Sequence, residues 1–462
     1  MNPSKYNLNK IHFIGIGGSG MSGIAEVLFN LGYKITGSDQ SQSFNTSRLE
    51  NLGIEIKYQH KPSNLINVEM VVKSSAIRQD NPELLEAKNK SIPILARAEM
   101  LSSLMNNKRG IAIAGTHGKT TTTSLIASIM TSAGLDPTFI NGGIINSFNS
   151  NAQLGRGDYL ITEADESDQS FLLLQPSISV ITNIEPDHLV NYDYSFENLK
   201  IAFLDFIKNL PFNGLSIVCG DDEVIRSLKK KFQRAHISYG FYLDNDFVIS
   251  DYKCDGSKSF FSLTHDNECQ EFELNMIGKH NVLNATAAII LCLQEGINVD
   301  VIQDSLSNFM GLDRRMQILG KKEINNNNCV FIDDYGHHPT EIEQTIEALR
   351  DAYSDHQLNM VFQPHRYTRT QDLLDEFVNV LQCVDKLYLL DIYSAGEERI
   401  EGISSESLMK VIIQSGFNSV EICPPSFDFQ KLLQEINSKT VLVFQGAGNI
   451  SSLSKKIKEE HL

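Results

Sequence analysis

Gly115-Thr116-His117-Gly118-Lys119-Thr120-Thr121 sets two glycines, a lysine and consecutive threonines directly after the apolar run Gly110–Ala114. Such a turn suits a phosphate cradle. Glycines let backbone N–H groups close on phosphate oxygens, Lys119 offers a point charge to the β- and γ-phosphates of ATP, and the Thr120 hydroxyl suits Mg²⁺. It is a shortened relative of the general P-loop, whose glycines stand further apart. Thr120–Thr123 are poor helix formers, so their place at a helix start favours function. Metal ligands should follow at later strand ends. Tyr159–Glu163 runs into Ala164-Asp165-Glu166, and Ser179–Asn183 into Ile184-Glu185-Pro186-Asp187-His188. Clustered carboxylates at strand ends repel unless a cation shares them. A cap or a solvated loop would explain one cluster; two beside a P-loop point to Mg²⁺.

A second glycine turn lies earlier. Gly15-Ile16-Gly17-Gly18-Ser19-Gly20 follows an apolar strand and opens a helix, and Asp39 ends the next strand. Gly17, Gly18, Ser19 and Gly20 would present N–H groups to a diphosphate at the helix N-terminus, with Asp39 on ribose hydroxyls. The plainer alternative is a tight βα turn. The motif does not separate NAD from a UDP-sugar. Ser74, at a later strand end, is either a further ligand contact or an ordinary helix cap.

The elements that must position these residues alternate strand and helix almost throughout, the pattern of an α/β protein with parallel sheets. Strands are predicted at Ile11–Ile16, Tyr33–Gly37, Met70–Ser74 and Gly110–Ala114, and helices over Ser19–Leu31 and from about Lys119. Phe241–Leu274 reads as β-rich and irregular, and a helix follows over Asn281–Gln294. The alternation restarts near Gly311 with strands Val330–Asp333, Asn359–Phe362, Lys386–Leu390 and Val441–Phe444, and helices Thr340–Tyr353 and Asp372–Gln382. Boundaries near Ala98 and Arg314 give three domains, 1–98, 99–314 and 315–462. Asn325–Asn328 reads as an exposed turn before a strand. The 462 residues carry a net charge of −17, which argues against a broad nucleic-acid surface or a basic membrane face. Met1–Lys10 lacks an apolar signal core, and no run is long enough to span a membrane. The 7 cysteines include no C-x-x-C pair, which implies a reducing cytoplasm without disulfides or structural zinc.

Taken in order, Ile14–Ser22, Gly115–Thr122, Glu163–Asp168 (EADESD), Thr182–His188 (TNIEPDH), Gly278–Ala288 (GKHNVLNATAA), Asp333–Pro339 (DDYGHHP) and Pro364–Thr370 (PHRYTRT) resemble the Mur ligase family over essentially the whole chain. The first-domain turn and the last two motifs are similar to its alanine-adding branch. The resemblance implies a Rossmann-like UDP-binding domain, a central P-loop ATPase-like domain, and a Rossmann-like carboxy-terminal domain that closes over the substrates. It implies ATP and Mg²⁺, with UDP-N-acetylmuramate and L-alanine as substrates in cytoplasmic peptidoglycan precursor synthesis, and a monomer or homodimer. By the same resemblance Glu163 and His188 hold Mg²⁺ with Thr120. Asn183, His280, Asn281, Arg314 and Asp334 serve ATP beside Gly115–Thr121. Tyr335, His337, His365 and Arg369 line the amino-acid pocket, and Arg366 holds an acidic substrate group. Other branches use a carbamylated lysine; Lys200 is nearby in sequence, but its neighbours do not mark it.

The implied chemistry is activation of a carboxylate, itself a poor electrophile, as an acyl phosphate. Lys119 and Mg²⁺ spread the developing charge, and a neutral amine attacks. His337 or His365 could take the ammonium proton or only orient the substrate. Rival readings are a murein tripeptide-recycling ligase of the same fold, a folylpolyglutamate synthetase-like enzyme, an NAD-dependent oxidoreductase built on Gly15–Gly20, and a non-catalytic ATP switch. The oxidoreductase leaves Lys119 and the acidic clusters unexplained.

Overall fold

Apolar strand cores generate three largely parallel sheets, each ending in one group of the motifs. The computed structural model describes residues 8–424 and 429–461. The first sheet comprises β1 (Lys10–Ile14), β2 (Lys34–Ser38), β3 (Glu55–Lys57), β4 (Met70–Lys73) and β5 (Ile94–Ala96), in the order β3-β2-β1-β4-β5. The chain leaves β1 at the point where the strand order reverses, which is where such sheets bind ligands. The glycine turn sits there, ahead of the helix Ser19–Asn30.

The second sheet comprises β6 (Arg109–Ala114), β7 (Thr138–Ile145), β8 (Ser150–Gln153), β9 (Tyr159–Glu163), β10 (Ile178–Ile181), β11 (Leu215–Cys219), β12 (Ala235–Gly240), β13 (Phe247–Asp255), β14 (Lys258–His265) and β15 (Glu268–Leu274). Its order is β15-β14-β13-β12-β11-β10-β6-β9-β7-β8. Strand β6 runs parallel to β9 on one side and β10 on the other. Both polar strand ends found in the sequence therefore flank the P-loop. Gly110–Ala114 is wholly buried, as a central parallel strand covered on both faces must be.

The third sheet comprises β16 (Gln317–Ile324), β17 (Asn327–Asp334), β18 (Gln357–Phe362), β19 (Lys386–Leu389), β20 (Val420–Ile422) and β21 (Thr440–Gln445), ordered β16-β17-β21-β18-β19-β20. Strands β17 and β18 lie on either side of β21. The antiparallel edge β16 was not expected. It forms a hairpin with β17 through Asn325 and Asn326, at φ 51° and 62°, a left-handed conformation that asparagine tolerates well. The expected helix Asp372–Gln382 is instead two helices, Tyr367–Asp372 and Leu374–Leu381, broken at Leu373.

The architecture is thus three-domain α/β. The first sheet and most of the second belong to one compact unit, which runs to Ser250 and includes Ser262–Phe272 and Leu283–Phe309. The third sheet belongs to another, formed by Asp251–Phe261, Glu273–Val282 and the chain from Met310. All cysteines are free. Among the described residues no helix is long and apolar enough to cross a membrane.

Candidate active site

In the first unit, the helix Lys119–Ser132 starts from Gly118 at φ 83°. A Cβ on Gly118 would fall 2.4 Å from Asn284 Oδ1, so only glycine fits. Thr122 Oγ1 donates to that same oxygen at 3.3 Å. Asn284 was missed in the sequence although it lies in the Gly278–Ala288 motif. The threonine run is explained by burial: Thr121, Thr122 and Thr123 all face the interior.

The P-loop is tied to the strand end beyond β10. The Thr116 and His117 amides donate to Asn183 O and Oδ1 at 3.2 and 2.8 Å, and Asn183 Nδ2 donates to His117 O at 3.1 Å. Asn183 thus braces the loop and occupies amides that the sequence assigned to phosphate. Lys119 Nζ donates to Glu166 Oε1 and Oε2 at 3.0 and 2.9 Å, to Thr116 O at 3.1 Å, and to Gly115 O. Burial opposes the ammonium, but Glu166, with Asp165 and Glu163 beyond it, outweighs it and holds Lys119 above its ordinary value. Burial also presses Glu166 upward, to about 7, against the pull of Lys119. The bidentate geometry favours the charged pair, because an ammonium has only hydrogens to offer and a protonated carboxyl would turn one of its own toward them.

Glu163, at the end of β9, accepts from the Gly142 amide at 2.7 Å. A Cβ on Gly142 would lie 2.8 Å from Glu163 Oε1, and one on Gly143 would lie 3.0 Å from Thr120 Cγ2. This bare stretch of β7 is a cradle that side chains would fill, bordered by a carboxylate and a threonine. These oxygen donors suit a hard cation such as Mg²⁺. His188 stands in the left-handed region at φ 55°, its Nε2 3.4 Å from Asp187 Oδ2. Lys200 pairs with Glu197 at 2.7 Å within one turn of helix.

At the first glycine turn Asp39 Oδ2 accepts from the Gly17 amide at 2.8 Å. Gly18 is the N-cap, and Ser19 opens the helix. Gly20 is covered by Arg97, whose Nη1 would lie 3.0 Å from a Cβ there. Ser74 sits against Gly15, and its Oγ accepts from the Ala76 amide at 3.3 Å within a turn; it caps no helix, since the next one, Pro82–Asn89, is capped by Asn81.

In the second unit a separate cluster forms beyond β17 and β18. The His337 ring lies 5.3 Å from that of His365 and 5.6 Å from that of Tyr335, and Tyr393 stacks on His365 at 5.5 Å. Tyr393 was missed in the sequence. Arg369 Nη1 is 3.4 Å from His365 Nδ1, and Arg366 Nη1 is 4.0 Å from Glu397. Burial, reinforced for His365 by His337 and Arg369, brings both imidazoles down to about 4. They are neutral at physiological pH and too weakly basic to hold a proton taken from an ammonium.

Other residues assigned to ATP have partners inside this unit. Asp334 accepts from the Met316 and Gly336 amides, Thr345 Oγ1 and Gln445 Nε2 at 3.0, 3.3, 2.8 and 2.9 Å. Three of these bonds fall on Oδ2 and one on Oδ1, so the carboxylate is mostly spent within its own domain. Asn281 Nδ2 donates to Ile277 O at 2.8 Å, which ties the first turn of its helix to the chain that enters it. Arg314 packs over Tyr335 at 5.0 Å and donates to Gly446 O. His280 is brought down by burial to about 4.

Three family models match the chain in order: the Mur ligase family catalytic domain over residues 10–109, the Mur ligase middle domain over 113–292, and the Mur ligase glutamate ligase domain over 314–448. A UDP-N-acetylmuramate–L-alanine ligase of Ruthia magnifica subsp. Calyptogena magnifica is 48% identical over 461 residues, covering 99% of this chain and 98% of that protein. The crystal structure of a UDP-N-acetylmuramate–alanine ligase from Thermotoga maritima superposes with a TM-score of 0.83 at 28% identity, covering 98% and 99% of the two chains. A murein peptide ligase from Psychrobacter arcticus shares the fold, with a TM-score of 0.71 at 22% identity over 98% and 99%.

Proposed function

Because the chain belongs to the Mur ligase family, as the three matched segments and the full-length relative establish, we propose that it joins L-alanine to the lactyl carboxylate of UDP-N-acetylmuramate at the expense of ATP. The reading assigns the UDP-sugar to residues 1–98, ATP to 99–314 and alanine to 315–462. The observation that carries it is the pairing of two glycine turns in one compact unit, one at the β1 switch point and one after β6 with Lys119, Thr120 and Glu163 around it.

The Lys119 ammonium faces the β- and γ-phosphates, and the backbone of Gly115–Thr121 orients them. Thr120, Glu163 and His188 would hold Mg²⁺, which when bound neutralises phosphate charge. The muramate carboxylate oxygen attacks the γ-phosphorus and ADP leaves, giving an acyl phosphate. The alanine amine then attacks the acyl carbon, and the tetrahedral intermediate collapses with loss of inorganic phosphate and the amine proton. Among the residues of the second cluster, Arg366 and Arg369 offer forked donors to carboxylates. Neutral His337 and His365 orient the amino acid between Tyr335 and Tyr393.

ADP release with each substrate omitted in turn tests this reading. Turnover is expected only with ATP, UDP-N-acetylmuramate and L-alanine together; turnover with a tripeptide in place of alanine would assign the recycling reaction instead. With ¹⁸O in the lactyl carboxylate, label should pass to inorganic phosphate. Label in AMP would overturn the acyl-phosphate route.

A further inference from the structure

Arg97 is the first residue after β5, and nothing in its sequence context marks it. The structure places it between the two nucleotide turns of the first unit. Its Nη2 donates to Asp165 Oδ2 at 3.1 Å and to Ser170 Oγ at 3.2 Å. Its other terminal nitrogen covers Gly20, in the first turn of the helix that the diphosphate turn opens. Asp165 belongs to the acidic loop after β9, and its neighbour Glu166 holds Lys119. Gly20, the last glycine of the turn, is bare where the guanidinium lies.

We propose that Arg97 is a diphosphate-binding residue for which Asp165 and the bound UDP-sugar compete, so that occupancy of the first glycine turn is felt by the loop that holds Lys119. The inference rests on the UDP-sugar reading above. A guanidinium has five donors in a planar fork, and a single carboxylate oxygen and one hydroxyl leave several unused. A diphosphate at the helix N-terminus carries more charge than Asp165 and meets the same fork. Its arrival draws Arg97 toward Gly20 and loosens its grip on Asp165.

Competition gives the two partners opposite signs, whereas a merely structural brace would give them the same sign. Calorimetry of UDP-N-acetylmuramate binding to the full chain, without ATP, reads the difference. Arg97→Ala is expected to weaken binding about ten- to a hundredfold, the loss of charge-assisted bonds to phosphate. Asp165→Asn leaves Arg97 in place and releases it, and is expected to tighten binding severalfold. Arg97→Lys should recover only part of the loss, because an ammonium lacks the fork. Weakening by both R97A and D165N, or binding unchanged in R97A, would overturn the proposal. A wild-type protein that does not bind UDP-N-acetylmuramate would remove the functional reading, and this inference with it.

Discussion

Replacing Glu166 by glutamine keeps the shape of the side chain and removes the charge that holds Lys119. The ammonium has three hydrogens and four oxygens around it: two from Glu166 and the carbonyls of Gly115 and Thr116. Glutamine leaves one acceptor and turns an amide nitrogen toward the ammonium in place of the other. At about 3 Å and an effective dielectric of about 20, the lost attraction is of order 5 kcal/mol. Residual bonding through the remaining oxygen and partial hydration offset part of it, which leaves a net cost of about 3 kcal/mol. Glu166→Gln should therefore melt roughly 5–10 °C lower. It should also lower kcat about a hundredfold, with a smaller change in KM for ATP, because the charge survives but is no longer held in place. The pH profile separates this from simple loosening. Without the carboxylate, only the charges of Asp165 and Glu163 remain against the burial that opposes the ammonium, so the Lys119 value falls and the basic limb of activity moves to lower pH. A variant with kcat within about threefold of wild type and an unmoved basic limb would refute the assignment of Glu166 as the residue that positions Lys119.

Three further outcomes follow from other parts of the molecule. Gly142→Ala puts a methyl 2.8 Å from Glu163 Oε1, and the Mg²⁺ concentration needed for half-maximal turnover should rise about tenfold, the effect of ~1–2 kcal/mol of overpacking; an unchanged magnesium titration would place the metal elsewhere. Glu83 is fully buried among His12, His60, Ser38 and Asn64; burial would raise its carboxyl, but these hydrogen bonds bring it from 4.5 down to about 2. A depressed carboxyl contributes stability that is present above about 4.5 and is lost as pH falls toward about 2, worth at most about 3 kcal/mol; the gap in denaturant midpoint between wild type and Glu83→Gln should close across that window, and a constant gap would count against it. His337 and His365 should produce no inflection in KM for L-alanine near pH 6.5, since both titrate at about 4; an inflection there that vanishes in His365→Asn would show that the imidazole is charged in function.

The strand ends that carry Lys119, Glu163 and Thr182 were legible because a parallel sheet delivers consecutive βα turns to one edge, and the types of residue there announce phosphate and metal chemistry. The carboxy-terminal cluster of Tyr335, His337, His365 and Arg369 was visible by resemblance. Arg97, Gly142 and Tyr393 were not, since each meets its neighbours from a different strand or loop, a proximity that sequence spacing does not encode. Asn183, Asn281 and Asp334 expose a different limit. A motif tells which polar groups gather at a site but not whether they face the ligand or the backbone that shapes it. Asn183 spends itself on the Thr116 and His117 amides, and Asp334 on four donors of its own domain. Each holds a loop in the form the chemistry needs, and a polar group that braces a loop is as intolerant of change as one that touches substrate. Removing the Asn183 side chain would leave the His117 amide without its acceptor beside the lysine, so loss of activity in such a variant would report on the cradle and would not by itself identify a ligand contact.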